Sequence, residues 1–375
     1  ELFEALLKVN KLSGKVEMLE STPRRLVLKA VELPSRQAST VELVTGPPKS
    51  AGEGAAAGFA RKLGVEPSAL KVTKTPKGLN YDANDSHSDV LPALLMAQGQ
   101  PRRTWFGLLE RSLFHAHKLD VSVSLSNGML RKVSDRYGLD QLLAARAAPG
   151  GPVGALLSIE GLHDLEGKAE NLDKLYDAGF RMAGLTHFFD NELAGSMHGM
   201  KKGGLTPFGR EIVKRMEDKG MIVDIAHCSH TCVAEVLKMA RRPVVSSHGG
   251  VQAMCKVNRN LTDDEIRGIS RTGGVIGIGY WDAAVCDTSP RAIAKSIKYV
   301  RDLVGIDFVA LGSDYDGATT VRFDTSHLAQ ITQALLDEGF RPAEIRAVMG
   351  GNTLRLIRAG IVPMNPAQLE QKRAS

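Results

Sequence analysis

Two histidines each close a short run rich in Val and Ile: VDIAH ends on His227 and VVSSH on His248. A buried parallel strand reads as a near-continuous apolar run, and in α/β barrels the reactive groups sit where such strands end. Two imidazoles at equivalent ends of neighbouring strands can face one point, and neutral imidazole is the commonest protein ligand for a transition metal. Glu160 closes a third run, GALLSIE, and completes a carboxylate-plus-two-imidazole set suited to zinc. A carboxylate can bridge two ions, and paired ions activate a shared water for hydrolysis. Asp314, in GSDYDG, closes a further run, where it could take the water's proton and return it to a leaving amine. His187 and Arg259 stand outside the ligand set and suit an oxyanion or a substrate carboxylate. Each residue alone has a plainer reading. A histidine can cap a strand, Asp314 or Asp316 can form a turn, and Arg259 can be a surface charge.

A compact zinc knot from His227, Cys228, His230 and Cys232 is a competing reading. A structural site wants two knuckles separated by a loop, whereas SHTCVAEVLKMA reads as a helix whose apolar face takes Cys232. Cys232 is therefore assigned to the core. The four cysteines, with Cys255 and Cys286, are too few and too irregular for a disulfide scaffold, so reduced thiols are expected.

The elements that must position these residues are regular from Val153 onward. Apolar runs at GALLSIE, RMAGLTH, MIVDIAH, PVVSSH, GGVIGIGY and FVALGSD alternate with segments of helical period, the signature of βα units around a parallel sheet. They end on Glu160, His187, His227, His248, Tyr280 and Asp314. Thr206-Pro207, the Thr262 and Glu265 pair, and Ser289-Pro290 open helices, while Gly220, Gly305 and Gly339 close them. Six strands are readable where a closed (β/α)8 barrel requires eight. Upstream, WFGLLERSLFHAHKL and YGLDQLLAARAA read as helices around a turn at Ser126-Asn127-Gly128, and Leu70 to Thr75 is the one partial strand. In residues 1–69, LVLKAVEL reads as a strand, EGAAAGFARKLGV as a helix and GPPKSAGEG as a loop.

A chain of 375 residues suffices for one large barrel or two to three average domains. With 43% hydrophobic and 24% charged residues it is an ordinary globular composition. Of the net charge of +6, most comes from the first eighty residues, where thirteen Lys and Arg face eight Asp and Glu. So diffuse a charge reads as a solvated face rather than a nucleic-acid footprint. No run approaches the ~18 apolar residues of a membrane span, and no leader is visible after Glu1, so the expectation is a cytoplasmic protein.

Residues from about 70 to 360 resemble the renal (membrane) dipeptidase family of zinc peptidases, within the amidohydrolase-type barrels. The matching motifs are SIEG, GLTHFFDN, GLTPFGREIV, VDIAH, VVSSH, NRNLTDDE, GGVIGI, GSDYDG and MGGN. The resemblance implies that Glu160 bridges two zinc ions and that His227 and His248 bind one of them. It implies too that His187 contacts the scissile group, Arg259 the substrate carboxylate, and Asp314 serves as acid and base. The family's His-x-Asp at its first strand has one candidate here, His87-Ser88-Asp89. The preceding TPKGLNYDAND holds Pro, Gly and polar groups and does not read as a buried strand. The first seventy-odd residues resemble the amino-terminal part of the bacterial glycyl-tRNA synthetase beta subunit, through STPRRLVL, GPPKSA, AAAGFARKLGV and TPKG.

These readings make an α/β chain with three parts. Residues 1–72 are the synthetase-like α+β segment, 73–362 a TIM-type barrel incomplete at its first strand, and 363–375 a tail. The expected function is a zinc-dependent dipeptidase with one or two ions, impaired by loss of the His-x-Asp pair. A fusion or synthetase-related accessory fragment without peptidase activity is the alternative. The expected partner is a small peptide, with no nucleic acid for the barrel, no membrane span, and a homodimer left open.

Overall fold

The computed structural model describes Thr104 and residues 107–363, apart from 148 and 318, and the backbone of five strands within 15–84. The chain divides into two compact units, 1–106 and 107–375. In the first, β1 (Lys15–Thr22) and β2 (Arg25–Val31) pair antiparallel. Strands β3 (Leu43–Pro48), β4 (Lys71–Thr75) and β5 (Gly78–Asn84) form a second antiparallel sheet in the order β3-β5-β4.

Two expectations change here. Strand β5 carries GLNYDAN, whose polar residues do not read as a buried strand, and it pairs antiparallel with both β3 and β4. The pairing with β4 runs from Lys71↔Asp82 to Thr75↔Gly78, an arrangement that tolerates polar residues on a solvated face. The partial strand at Lys71–Thr75 runs antiparallel in this sheet and is no part of a parallel barrel. The loop read at GPPKSAGEG starts inside β3, which runs to Pro48. The helix expected at EGAAAGFARKLGV, His87 and Asp89, and the tail beyond 363 lie outside the described residues.

In the second unit six parallel strands follow one another in chain order. They are β8 (Leu157–Ile159), β9 (Phe180–Gly184), β10 (Ile222–Asp224), β11 (Val245–Gly249), β12 (Val275–Ile278) and β13 (Val309–Leu311). The helices between them start and stop where the punctuation placed them. Thr206 accepts from Gly209 N and opens Pro207–Lys219, and Gly220 closes that helix at φ 70°. Thr262 and Glu265 form a reciprocal capping box, and Ser289 caps Pro290–Val304. Helix and sheet faces meet in one apolar core that includes Leu162, Leu172, Leu175, Ile212, Met216, Val223, Ile266, Ile276 and Ile297.

A seventh parallel strand is present. After the turn at Asn127 and Gly128, both at positive φ, β6 (Leu130–Lys132) pairs in parallel with β7 (Val153–Ala155). The run read as one strand, GALLSIE, is thus split at Leu156. Its first half pairs with β6 and its second half, β8, with β9. Strand β6 reads LRK, too short and too polar to show as an apolar run, and only its pairing reveals it. Among the described residues the other edges of β6 and β13 have no strand partner. Beside β13 and β7 opens a cavity of about 500 Å³ walled by Val133, Leu142, Val153, Leu156, Leu311 and Met349.

The thiol expectation is also corrected: Cys255 and Cys286 form a disulfide, with Cα atoms 5.4 Å apart. Thirty-one residues separate them, and only the fold shows that the loop after β11 returns against the short helix Asp282–Val285. Cys228 and Cys232 are free and buried, in keeping with a core role for Cys232. Among the described residues no helix is long and apolar enough to cross a membrane.

Candidate functional site

Glu160 follows β8 directly, His248 lies within β11, and His187, His227 and Asp314 each stand three residues beyond the last residue of β9, β10 and β13. The register is fixed below them by Asp224, the buried last residue of β10, whose carboxylate accepts from the backbone N–H of Ala226 and of Ser247. One side chain thereby locks the turn that carries His227 to the strand that carries His248. His227 (φ 66°) and Asp314 (φ 55°) hold left-handed backbone conformations. Such conformations are uncommon outside glycine and collect at functional sites.

The side chains converge. His227 Nε2 lies 2.8 Å from Glu160 Oε1, His248 Nε2 lies 3.1 Å from the same oxygen, and the two Nε2 atoms are 3.0 Å apart. Hydrogen bonding from His227 and His248 holds the Glu160 carboxyl well below the usual range, so it is ionised. Burial pushes His227 down to about 3, so it is neutral at physiological pH. One neutral imidazole brings one proton, yet His227 Nδ1 is buried without a partner, and three basic atoms crowd within 3.1 Å of one another. A cation among them resolves that crowding. Ligands 2.0–2.1 Å from a tetrahedral zinc stand about 3.3 Å apart, close to the separations found. The donor set therefore fits a metal ion.

His187 and Asp314 flank this triplet. His187 Nε2 is 3.6 Å from Glu160 Oε1, and its ring meets that of His227 edge-on with centroids 4.6 Å apart. Donor atoms of Glu160, His187 and His227 lie within 4.8 Å of one another, and so do those of Glu160, His248 and Asp314. Glu160 is common to both groups. Burial raises the Asp314 carboxyl, opposed by His248 and assisted by Glu160. The Arg259 guanidinium donates from Nη2 to the His248 carbonyl oxygen. Burial lowers its pKa, while Asp224, Asp314 and Glu160 act in the opposite direction.

The structure thus brings all six sequence-predicted side chains to one mouth: Glu160, His187, His227, His248, Arg259 and Asp314. Tyr280, the sixth strand-end residue, turns away to pack edge-on against Tyr315. Three neighbours went unread. His198 lies with its ring 5.5 Å from that of His227, Phe188 meets His187 edge-on with ring centroids 4.5 Å apart, and His163 Nε2 accepts the His187 backbone N–H. The signal for two of them was in the residues adjoining the motifs, Phe188 next to His187 and His163 three after Glu160. His198 comes from a loop between β9 and β10, held by Asp190, which accepts from the backbone of Ser196, Lys201 and Lys202.

Comparison with known proteins gives the family and the fold. The model of the membrane dipeptidase family, peptidase family M19, matches residues 125–368. Dipeptidase aclJ of Aspergillus oryzae is 36% identical over 217 residues, which cover 55% of this chain and 51% of that protein. The chain thus spans about half the length of the curated relative it matches. Among solved structures, the probable dipeptidase PvdM of Pseudomonas aeruginosa aligns with a TM-score of 0.60 at 21% identity, over 65% of this chain and 77% of that one. A metallopeptidase of Rhodobacter sphaeroides, solved with a phosphinate mimic of the dipeptide L-Ala-D-Ala, aligns with a TM-score of 0.58 at 20% identity, over 72% of this chain and 75% of that one. At these identities the structural matches establish the shared fold.

Proposed function

The chain belongs to the membrane dipeptidase family, and from that premise we propose that it hydrolyses the peptide bond of dipeptides at the mouth around Glu160. The observation that carries the reading is the convergence of Glu160, His227 and His248 within 3.1 Å of one another. These three residues would hold a zinc ion, one per chain. When bound, zinc supplies Lewis acidity, polarising a carbonyl and lowering the pKa of water.

The remaining roles belong to side chains. Arg259 offers a planar, desolvated fork to the substrate's terminal carboxylate, a geometry that Lys cannot reproduce. His187, with its side chain partly open to solvent beside Glu160, donates to the scissile carbonyl oxygen as negative charge grows there. Asp314 accepts a proton from water as the water oxygen bonds to the carbonyl carbon, then delivers that proton to the amine nitrogen as the C–N bond breaks. Its raised pKa brings the carboxyl closer to neutrality, which suits both transfers.

A second metal position would need ligands on the side of the mouth where, among the described residues, the outer edges of β13 and β6 have no strand partner. His87 and Asp89 are the sequence candidates for it, and without them turnover falls below that of a two-ion site. The Cys255–Cys286 bridge favours an oxidising compartment over the reducing cytoplasm expected from the sequence. The synthetase resemblance of the first seventy-odd residues is a proposal for that segment alone and adds nothing to the site.

Metal analysis of the purified chain beside a dipeptide hydrolysis assay tests the reading. Near-stoichiometric zinc with hydrolysis abolished by a chelator is expected. A chain that binds no zinc and cleaves no dipeptide would overturn it.

A further inference from the structure

We propose that the cavity beside Glu160 walled by Leu108, Phe188 and Phe189 receives the side chain of the substrate's amino-terminal residue and selects large apolar or aromatic ones. The inference rests on the peptidase reading above and deepens it.

The cavity measures about 490 Å³ and takes Glu160 and His187 into its wall, so whatever fills it lies against the reacting centre. Pockets of this size are typical small-molecule sites. Its rim carries three large apolar side chains in solvent: Phe189 is 73% exposed, Phe188 50% and Leu108 40%. Each exposed phenyl face forgoes about 25 cal/mol for every Å² left in water. Clustered at a catalytic mouth, such faces mark a place that something else covers. Ile159 and Phe180, both buried, continue the apolar surface inward.

The wall also carries polar groups: Arg111 and Glu160 bring charge, beside Ser112, His115, His163 and Asp164. Burial lowers the pKa of His115 and of His163, which favours the neutral imidazole in each. The Asp164 carboxylate is turned into the protein, where it accepts from the Ser112 hydroxyl.

Orientation follows from the strand order. The cavity is built from β8, β9 and the helix Leu108–Leu125, whereas Arg259 lies beyond β10, against the His248 carbonyl of β11. A dipeptide whose carboxylate sits at Arg259 and whose scissile carbonyl faces His187 therefore directs its amino-terminal residue toward Phe188 and Phe189.

The test uses calorimetric binding of hydrolysis-resistant phosphinic analogues of Phe-Ala, Gly-Ala, Ala-Phe and Asp-Ala to the zinc-loaded full chain, so that slow turnover does not mask the result. The Phe-Ala analogue is expected to bind at least about tenfold tighter than the Gly-Ala analogue, an affinity ratio within reach of one buried phenyl group. In Phe189→Ala that ratio should shrink to within about threefold, and in Phe189→Leu it should be largely restored. Phe189 is mostly exposed, so its substitution does not threaten the fold; Phe188→Ala, which also frees the His187 ring, serves as the second variant. Equal binding of the Phe-Ala and Gly-Ala analogues, preference for Ala-Phe or Asp-Ala, or a Phe-Ala preference that survives both alanine variants would overturn the subsite while leaving the peptidase reading standing. Failure of every analogue to bind would overturn both.

Discussion

The two sides of the parallel sheet differ in what holds them. From β9 to β11 every strand has a neighbour on each side, β8 pairs with β9 and continues from β7, which pairs with β6, and Glu160, His227 and His248 meet within hydrogen-bond distance. At the other side β13 and the β6–β7 pair border a cavity, and no group within the described residues there faces the Glu160 cluster except Asp314. His227 and His248 belong to strands laddered on both sides, whereas Glu160 follows β8, laddered to β9 alone. Asp224 shows the device in one residue: it accepts from the turn before His227 and from the strand before His248 together.

The sharpest way to break this contrast is to remove the group both halves share. Glu160→Ala should abolish zinc binding and lower dipeptide turnover by about 10³-fold or more, measured by metal analysis and a ninhydrin-based assay. Asp314→Asn should instead keep the metal while turnover falls roughly 10²–10⁴-fold. Loss of zinc in that variant would move Asp314 from proton carrier to ligand.

Stability should divide the same way. Leu172→Ala, in the closed core, should cost about 2–5 kcal/mol, whereas Val153→Ala, 58% exposed beside the open cavity, should cost under about 1 kcal/mol in urea unfolding. Similar losses would mean that the seam is as tightly packed as the core.

Asp164 offers a finer probe of the closed side. It is 3% exposed, one carboxylate oxygen has no partner, and burial pushes its pKa up to about 6. The folded chain thus holds this proton more tightly than the unfolded one. The stabilisation is present below about pH 4 and is lost as pH rises through about 6, a difference of order 3 kcal/mol. Asp164→Asn should therefore raise the melting temperature by several degrees at pH 8 and give no gain at pH 4. An equal shift at both pH values would place the effect in packing rather than titration.

Much of the six-stranded sheet was legible because its strands are apolar runs that stop on or just before His227, His248, Glu160 and Asp314, and because Thr206, Thr262 and Ser289 mark the helices between. The seam was not. Strand β6 is the polar tripeptide Leu130–Lys132, visible only through its pairing with Val153–Ala155. The Cys255–Cys286 bridge joins residues that only the return of a loop brings together. Strand β5 hides in GLNYDAN because a hairpin tolerates the polar and glycine residues that a buried parallel strand excludes. The aromatic rim at Phe188 and Phe189 was in plain view beside His187, yet only its exposure gives it meaning.

Zinc stoichiometry tests the central claim most directly. After dialysis against metal-free buffer, the chain should retain one zinc per molecule, and His227→Ala and His248→Ala should each lose it. Two zinc ions retained per chain, or one that survives the loss of either histidine, would contradict an ion held by Glu160, His227 and His248.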